Sequence, residues 1–193
     1  MKNLTLVVNP LIKRDINYLI NYETKEYKFR LDVRSIAYII SSEISKEFAT
    51  TEIEVETPLE KTTGYKLTKQ IVLVPVLRAG LSLVNSFIEM IPQAKVGHIG
   101  LQRDEETLLP VDYYYKAPKH LDISTVIILD QMLATGGSAS AAVNFLKDKG
   151  ENEILMASLI ASPEGVEKLS SDHPEVKIDR ANHWKTLRYE PVS

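Results

Sequence analysis

Three apolar runs constrain this chain more than any other feature: IVLVPVL at 71–77, TVIILD at 125–130 and ILMASLIA at 154–161. Each is solidly apolar, as a strand must be when both of its faces are covered. Segments of helical period separate them. LSLVNSFIEMI (81–91) runs up to Pro92, residues 138–149 run up to Gly150, and PEGVEKLSSDH (163–173) opens with a proline suited to a first helical turn. Buried strands alternating with helices make βαβ units joined by right-handed crossovers. The expected fold class is therefore α/β: an open, mainly parallel, doubly wound sheet with helices on both faces.

The rest of the chain fits around that frame. KVGHIGLQ (95–102) reads as a further strand and LLPVDYYYKAP (108–118) as a protruding hairpin. From Asp32 to Phe48, the residues Val33, Ile36, Ile39, Ile40, Ile44 and Phe48 recur at helical spacing and predict one amphipathic helix. Residues 51–69, broken at Pro58 and Gly64, have too little apolar content for a core and read as a projecting β-arm. No repeat, low-complexity tract or linker interrupts the 193 residues, so residues 1–193 are taken as one domain with one site.

Composition removes whole classes of function. A net charge of −3 provides no general field for nucleic acid or an anionic membrane, so any anion site must be local. The absence of cysteine excludes a disulfide scaffold, a thiol nucleophile and thiolate metal sites, and fits a reducing cytoplasm. The opening MKNLTLVVNPLIKRD is too short in apolar residues for a secretory signal, and no segment approaches the roughly 20 apolar residues of a membrane span. A cytoplasmic location is expected.

The chemically pointed stretch is LDQMLATGGSAS (129–140). Ligands of such sheets sit beyond the carboxyl ends of the strands, and Asp130 is read as standing at one. Behind it, Gly136 and Gly137 permit close approach and positive φ. The helix that follows points its unpaired N–H groups and partial positive charge at the same place. A phosphate fits there. Thr135 and Ser138 add hydroxyls, and Asp130 offers an acceptor for vicinal sugar hydroxyls, so the whole describes a sugar phosphate site. The competing reading is that Thr135–Ser138 merely turn the chain and cap a helix. A receiver-type phosphoacceptor aspartate is a lesser rival, since it would not need the glycine pair. The sequence contains neither the P-loop pattern nor the glycine fingerprint of dinucleotide sites. Arg78 follows one strand and Arg103 another, which places both on the edge shared with Asp130, where guanidinium groups hold phosphate oxygens bidentately. The histidines His98, His120, His173 and His183 lack ligand spacing and read as surface or packing residues.

These segments together, VPVLRAGLSLV, VGHIGLQRDEETLLPV, VIILDQMLATGGSA and ASPEGVEKL with HPEV, resemble the uracil phosphoribosyltransferase family from about Asn9 to Ile178. The resemblance implies the type I phosphoribosyltransferase fold and transfer of phosphoribose from phosphoribosyl pyrophosphate to N1 of uracil, giving UMP and pyrophosphate. It assigns Asp130, Gln131, Met132, Leu133, Ala134, Thr135, Gly136, Gly137 and Ser138 to the ribose 5-phosphate, with Asp130 near the ribose hydroxyls. Arg78 and Arg103 fall to the pyrophosphate, and Arg103 and Asp130 are the candidate catalytic residues. It implies magnesium held mainly through substrate, and a homodimer or higher homo-oligomer.

The chain departs from the family pattern twice. Gln131 stands where the family usually has proline. After HPEVKI, where the family continues with a Y-T-A-x-I-D segment and a glycine-rich base-reading stretch, this chain reads DRANHWKTLRYEPVS. Residues 179–193 are expected either to fray or pack without function, or to form an alternative lid with Trp184 stacking on a base. The alternative function is a phosphoribosyl-pyrophosphate-binding homologue that has lost transfer and acts as sensor or partner subunit; transfer to another base is a third.

Overall fold

The computed structural model describes residues 4–103, 110–118 and 121–183. In chain order the strands and helices are β1 (Leu4–Leu6), α1 (Pro10–Leu19), α2 (Glu26–Ile44), β2 (Thr50–Glu56), β3 (Lys61–Leu67), β4 (Gln70–Leu77), α3 (Leu81–Met90), β5 (Lys95–Val96), β6 (His98–Arg103), β7 (Pro110–Lys116), β8 (Ser124–Leu133), α4 (Gly137–Asp148), β9 (Ile154–Ala161), α5 (Pro163–Asp172) and β10 (Lys177–His183). The main sheet has the order β1-β10-β9-β8-β4-β6-β7, with β5 also on β4. Its pairings are parallel except that of β7 with β6. The expected doubly wound α/β architecture is what the chain adopts.

The solid apolar runs do what a two-sided strand requires. Successive side chains of a strand point to opposite faces. Ile71 and Leu73 accordingly join one core layer with Ile12 and Ile16 of α1, Ile36 and Ile40 of α2 and Phe87 of α3. Their neighbours Val72, Val74 and Val76 join the other, with Ala142 and Leu146 of α4 and Leu169 of α5. Full burial of a side chain such as Phe87 contributes about 2–3 kcal/mol. The arm forms as an antiparallel hairpin, β2 on β3, registered from Thr50 opposite Leu67 to Glu56 opposite Lys61.

Several expectations are corrected. The helix placed at Asp32–Phe48 begins at Glu26 and ends at Ile44; a short 3-10 turn follows at Ser45–Glu47, and Phe48 packs on the core from beyond it. Its first turns were missed because they carry little apolar periodicity and are held partly by an Arg30–Glu26 pair one turn apart. The strand placed at 95–102 divides at Gly97 into β5 and β6. The segment 108–118 is no hairpin by itself: β7 is a single strand lying antiparallel on β6, with a register shift between Gly100 and Leu101. Fraying is corrected for residues 179–183, which complete β10, a strand paired on both sides inside the sheet. Trp184 and the residues after it lie outside the described residues.

Candidate functional site

Parallel pairing brings the carboxyl ends of β4, β8 and β9 to one edge. At the end of β4, Arg78, Ala79 and Gly80 form a turn into α3, with the Leu77–Arg78 peptide in cis. Arg78 is exposed and Gly80 is buried. The reason Gly80 is glycine is contact: a Cβ there would lie 2.2 Å from the Leu129 carbonyl oxygen and 2.8 Å from the Val76 nitrogen. The turn is thus seated directly on β8, one residue before Asp130.

Asp130 itself is not the last residue of its strand. β8 continues to Leu133 because β9 extends alongside it, pairing Asp130 with Ser158 and Leu133 with Ala161. Asp130 is half-buried. The nearby backbone N–H groups of Met132 and Gln131 favour its ionised form; burial outweighs them and pushes the carboxyl up to about 6.

The turn after β8 divides the labour of the two glycines, which the sequence reading had treated as equivalent. Gly136 takes the left-handed conformation, with φ 77°, and forms the N-cap of α4; Gly137 is the first helical residue and has no positive φ. A Cβ on Gly136 would meet the Gly165 carbonyl oxygen at 2.7 Å. No side chain caps α4, so its first N–H groups carry no intrahelical or capping bond. This removes the reading in which Thr135 and Ser138 serve only to cap: both are exposed and neither caps the helix. Met132 is 47% exposed, Gln131 and Ala134 are half-buried, and Leu133 turns its side chain into the core, leaving only its backbone to the loop. Arg103 closes β6, the strand next to β4. Its backbone is on the expected edge; its side chain lies outside the described residues.

What sequence reasoning missed is the support behind this loop. Ser162, the N-cap of α5, donates its backbone N–H to the Leu133 carbonyl at 2.9 Å and its hydroxyl to the Ala134 carbonyl, while the same oxygen accepts the Gly165 N–H at 2.9 Å. Gly165 is seated so closely that a Cβ would stand 2.5 Å from the Leu133 oxygen and 2.6 Å from the Ala134 oxygen. The far side of α4 is tied as well: Ser140 Oγ donates to Asp172 at 2.6 Å. The buried His173 ring bridges the Ser140 carbonyl, 3.2 Å from Nε2, and Lys147, 3.1 Å from Nδ1. His173 is thus a packing residue, as expected, and the serine and glycine of S-P-E-G were the available signal for the clamp. Among the described residues no group of three or more His, Asp or Glu side chains could hold a metal ion, and no helix is long and apolar enough to cross a membrane.

A left-handed glycine loop, an uncapped helix start and an arginine turn around one aspartate, on a parallel sheet of this order, define the phosphoribosyltransferase class of type I architecture. Solved structures agree on the fold. A purine phosphoribosyltransferase from Pyrococcus horikoshii superposes with a TM-score of 0.56 at 17% identity, covering 84% of this chain and 93% of that one. An adenine phosphoribosyl transferase from Trypanosoma brucei reaches 0.64 at 11%, covering 98% and 91%. The AQ2163 protein from Aquifex aeolicus is much nearer, at 0.88 and 33% identity over 96% of this chain and 89% of that one. The model of the uracil phosphoribosyltransferase family matches residues 6–185. A uracil phosphoribosyltransferase from Salinibacter ruber is 46% identical over 178 residues, 92% of this chain and 85% of the relative; one from Fervidobacterium nodosum is 47% identical over 180 residues, 93% and 87%. The chain belongs to the uracil phosphoribosyltransferase family.

Proposed function

We propose that this protein transfers the phosphoribosyl group of phosphoribosyl pyrophosphate to N1 of uracil, giving UMP and releasing pyrophosphate, as a salvage enzyme of the cytoplasm. The observation that carries the reading is the cradle at 134–138: a left-handed Gly136 braced on Gly165, feeding an uncapped helix N-terminus beside Asp130. Its amide groups hold the 5-phosphate, with the Thr135 and Ser138 hydroxyls as further donors. Asp130 accepts from the ribose hydroxyls. As the bond to pyrophosphate breaks, positive charge grows on the ribose and negative charge on the leaving group; Arg78 and Arg103 stabilise the latter. The donor set fits magnesium brought in on the substrate, because such ions bind through phosphates, water and one or two carboxylates, and among the described residues Asp130 is a carboxylate at this edge. Held by Asp130 together with substrate oxygens and water, such an ion would supply charge neutralisation to the leaving group.

Incubation with phosphoribosyl pyrophosphate, magnesium and uracil should form UMP, and Asp130→Ala or Arg78→Ala should reduce donor affinity or turnover; unchanged values in both variants would refute the assignment. A second reading, binding without transfer, is favoured by β10, which carries a buried Asp179 and Arg180 where the family pattern has tyrosine and threonine. Donor binding without UMP formation from uracil or other bases would select it. The arm exposes Leu59 at 96% and Tyr65 at 66%, which supports a homodimer or higher assembly, measurable by sedimentation.

A further inference from the structure

We infer that Gln131 is a positioning residue: through the Ser82 hydroxyl, its side-chain amide ties the phosphoribose cradle at the end of β8 to the pyrophosphate turn at the end of β4. This inference rests on the site assignment above. Gln131 Nε2 lies 2.6 Å from Ser82 Oγ. Ser82 Oγ in turn donates to the Ala79 carbonyl at 2.9 Å. A hydroxyl has one hydrogen. With that hydrogen given to Ala79, Ser82 must accept from Gln131, so the bonds run in one direction from the cradle strand to the turn that carries Arg78.

The turn's other bonds explain why this link matters. Gly80 N–H reaches Val76, Leu81 N–H reaches Arg78 and Ser82 N–H reaches Ala79, all within the turn and its own strand and helix. Contact with β8 comes from two places that flank Asp130: Gly80, pressed on the Leu129 carbonyl, and Ser82, bonded to Gln131. The first is a steric seat, which sets distance. The second is a directional bond, which sets orientation.

A proline at position 131 could supply neither the amide nor a backbone N–H. The departure of this chain from the family's usual residue therefore adds the bond to Ser82. Phosphoribosyl pyrophosphate spans the cradle and the turn, whereas ribose 5-phosphate occupies only the first and pyrophosphate only the second. Loss of a link between two subsites should tell on the ligand that must engage both at once.

The test is calorimetric binding, with magnesium present, of phosphoribosyl pyrophosphate, ribose 5-phosphate and inorganic pyrophosphate to the full chain and to Gln131→Leu, Ser82→Ala and their combination, each checked by thermal unfolding. Affinity for phosphoribosyl pyrophosphate should fall about 3- to 10-fold in either single variant, the range of one hydrogen bond. The combination should lose no more than the larger single, because both changes remove the same bond. The two fragments should lose less affinity than phosphoribosyl pyrophosphate does, and Ser82→Thr should recover most of what Ser82→Ala loses. Unchanged donor affinity in Gln131→Leu, multiplied losses in the combination, or fragments weakened as much as the donor would each overturn the inference. Asp130→Asn separates the two levels. If it weakens the donor while Gln131→Leu does not, the link alone is wrong; if it too has no effect, the site assignment is wrong.

Discussion

Replacing Gly165 with alanine tests whether the cradle is held from behind. The added Cβ would stand 2.5 Å from the Leu133 oxygen, 2.6 Å from the Ala134 oxygen and 2.9 Å from the Leu133 carbonyl carbon. All three are backbone atoms of the segment leading into Gly136, so no flexible side chain can move aside. Reaching ordinary contact requires a retreat of nearly 1 Å by either the loop or the start of α5. Overpacking of this kind costs about 1–3 kcal/mol, and a misplacement of about 1 Å near reacting atoms can cost on the order of 100-fold in rate. Gly150→Ala is the matched control. Its φ of 91° disfavours alanine, yet nothing lies within 4 Å of the new Cβ. It should cost about 1–2 kcal/mol of stability through conformation alone, a fall in Tm of roughly 2–8 °C for a chain of this size. Steady-state kinetics with varied phosphoribosyl pyrophosphate, beside thermal unfolding, should show kcat/KM depressed about 100-fold in Gly165→Ala and unchanged in Gly150→Ala, with both less stable than the parent. Should Gly165→Ala keep kcat/KM within about twofold of the parent, the bracing argument would be refuted, because displacement of this size could not leave a positioned phosphate untouched.

Ser162→Ala removes the hydroxyl that caps α5 and bonds the Ala134 carbonyl; it should lower stability by about 0.5–2 kcal/mol and kcat/KM for the donor by less than Gly165→Ala does, both readable in the same assays. Burial raises the Asp130 carboxyl to about 6, so if the carboxylate is the form that accepts ribose hydroxyls, the ratio of parent to Asp130→Asn kcat/KM should be flat above about pH 7 and fall as pH drops below about 6. Glu151 is buried and its carboxyl is pushed from 4.5 to about 7 by desolvation. The folded state then holds the proton more tightly than the unfolded chain, so this group's contribution is most favourable below about 4.5 and is lost as pH rises through about 7. Melting curves of Glu151→Gln should accordingly show a growing advantage over the parent between about pH 5 and pH 8.

How much of this was legible depended on whether a residue's reason lay near it in the chain. β4, β8 and β9 were legible because each is a nearly unbroken apolar run covered on both faces, a property carried within a short local stretch. β1 and α1 were not. Leu4–Leu6 is a strand only by pairing with β10, and α1 buries Asp15 completely beside Arg14, so a charge interrupts the periodicity by which helices are found. α2 likewise buries Asp32, bonded to Lys28 one turn earlier.

The site divides along the same line. Strand, acid, glycines and helix follow one another without a gap, so their order alone pointed to a sugar phosphate. The end of β8 did not follow from that order. Asp130 looks terminal because polarity begins there, yet β8 continues for three more residues because Ile160 and Ala161 of β9 offer partners to Met132 and Leu133. This extension carries the chain to where Ser162 and Gly165 can grip the Leu133 and Ala134 carbonyls. It also places Gln131 opposite Ser82, at a position the sequence could read only as a missing proline. Local chemistry thus marks the loop, while its placement comes from β9, α5 and α3, which lie elsewhere in the chain.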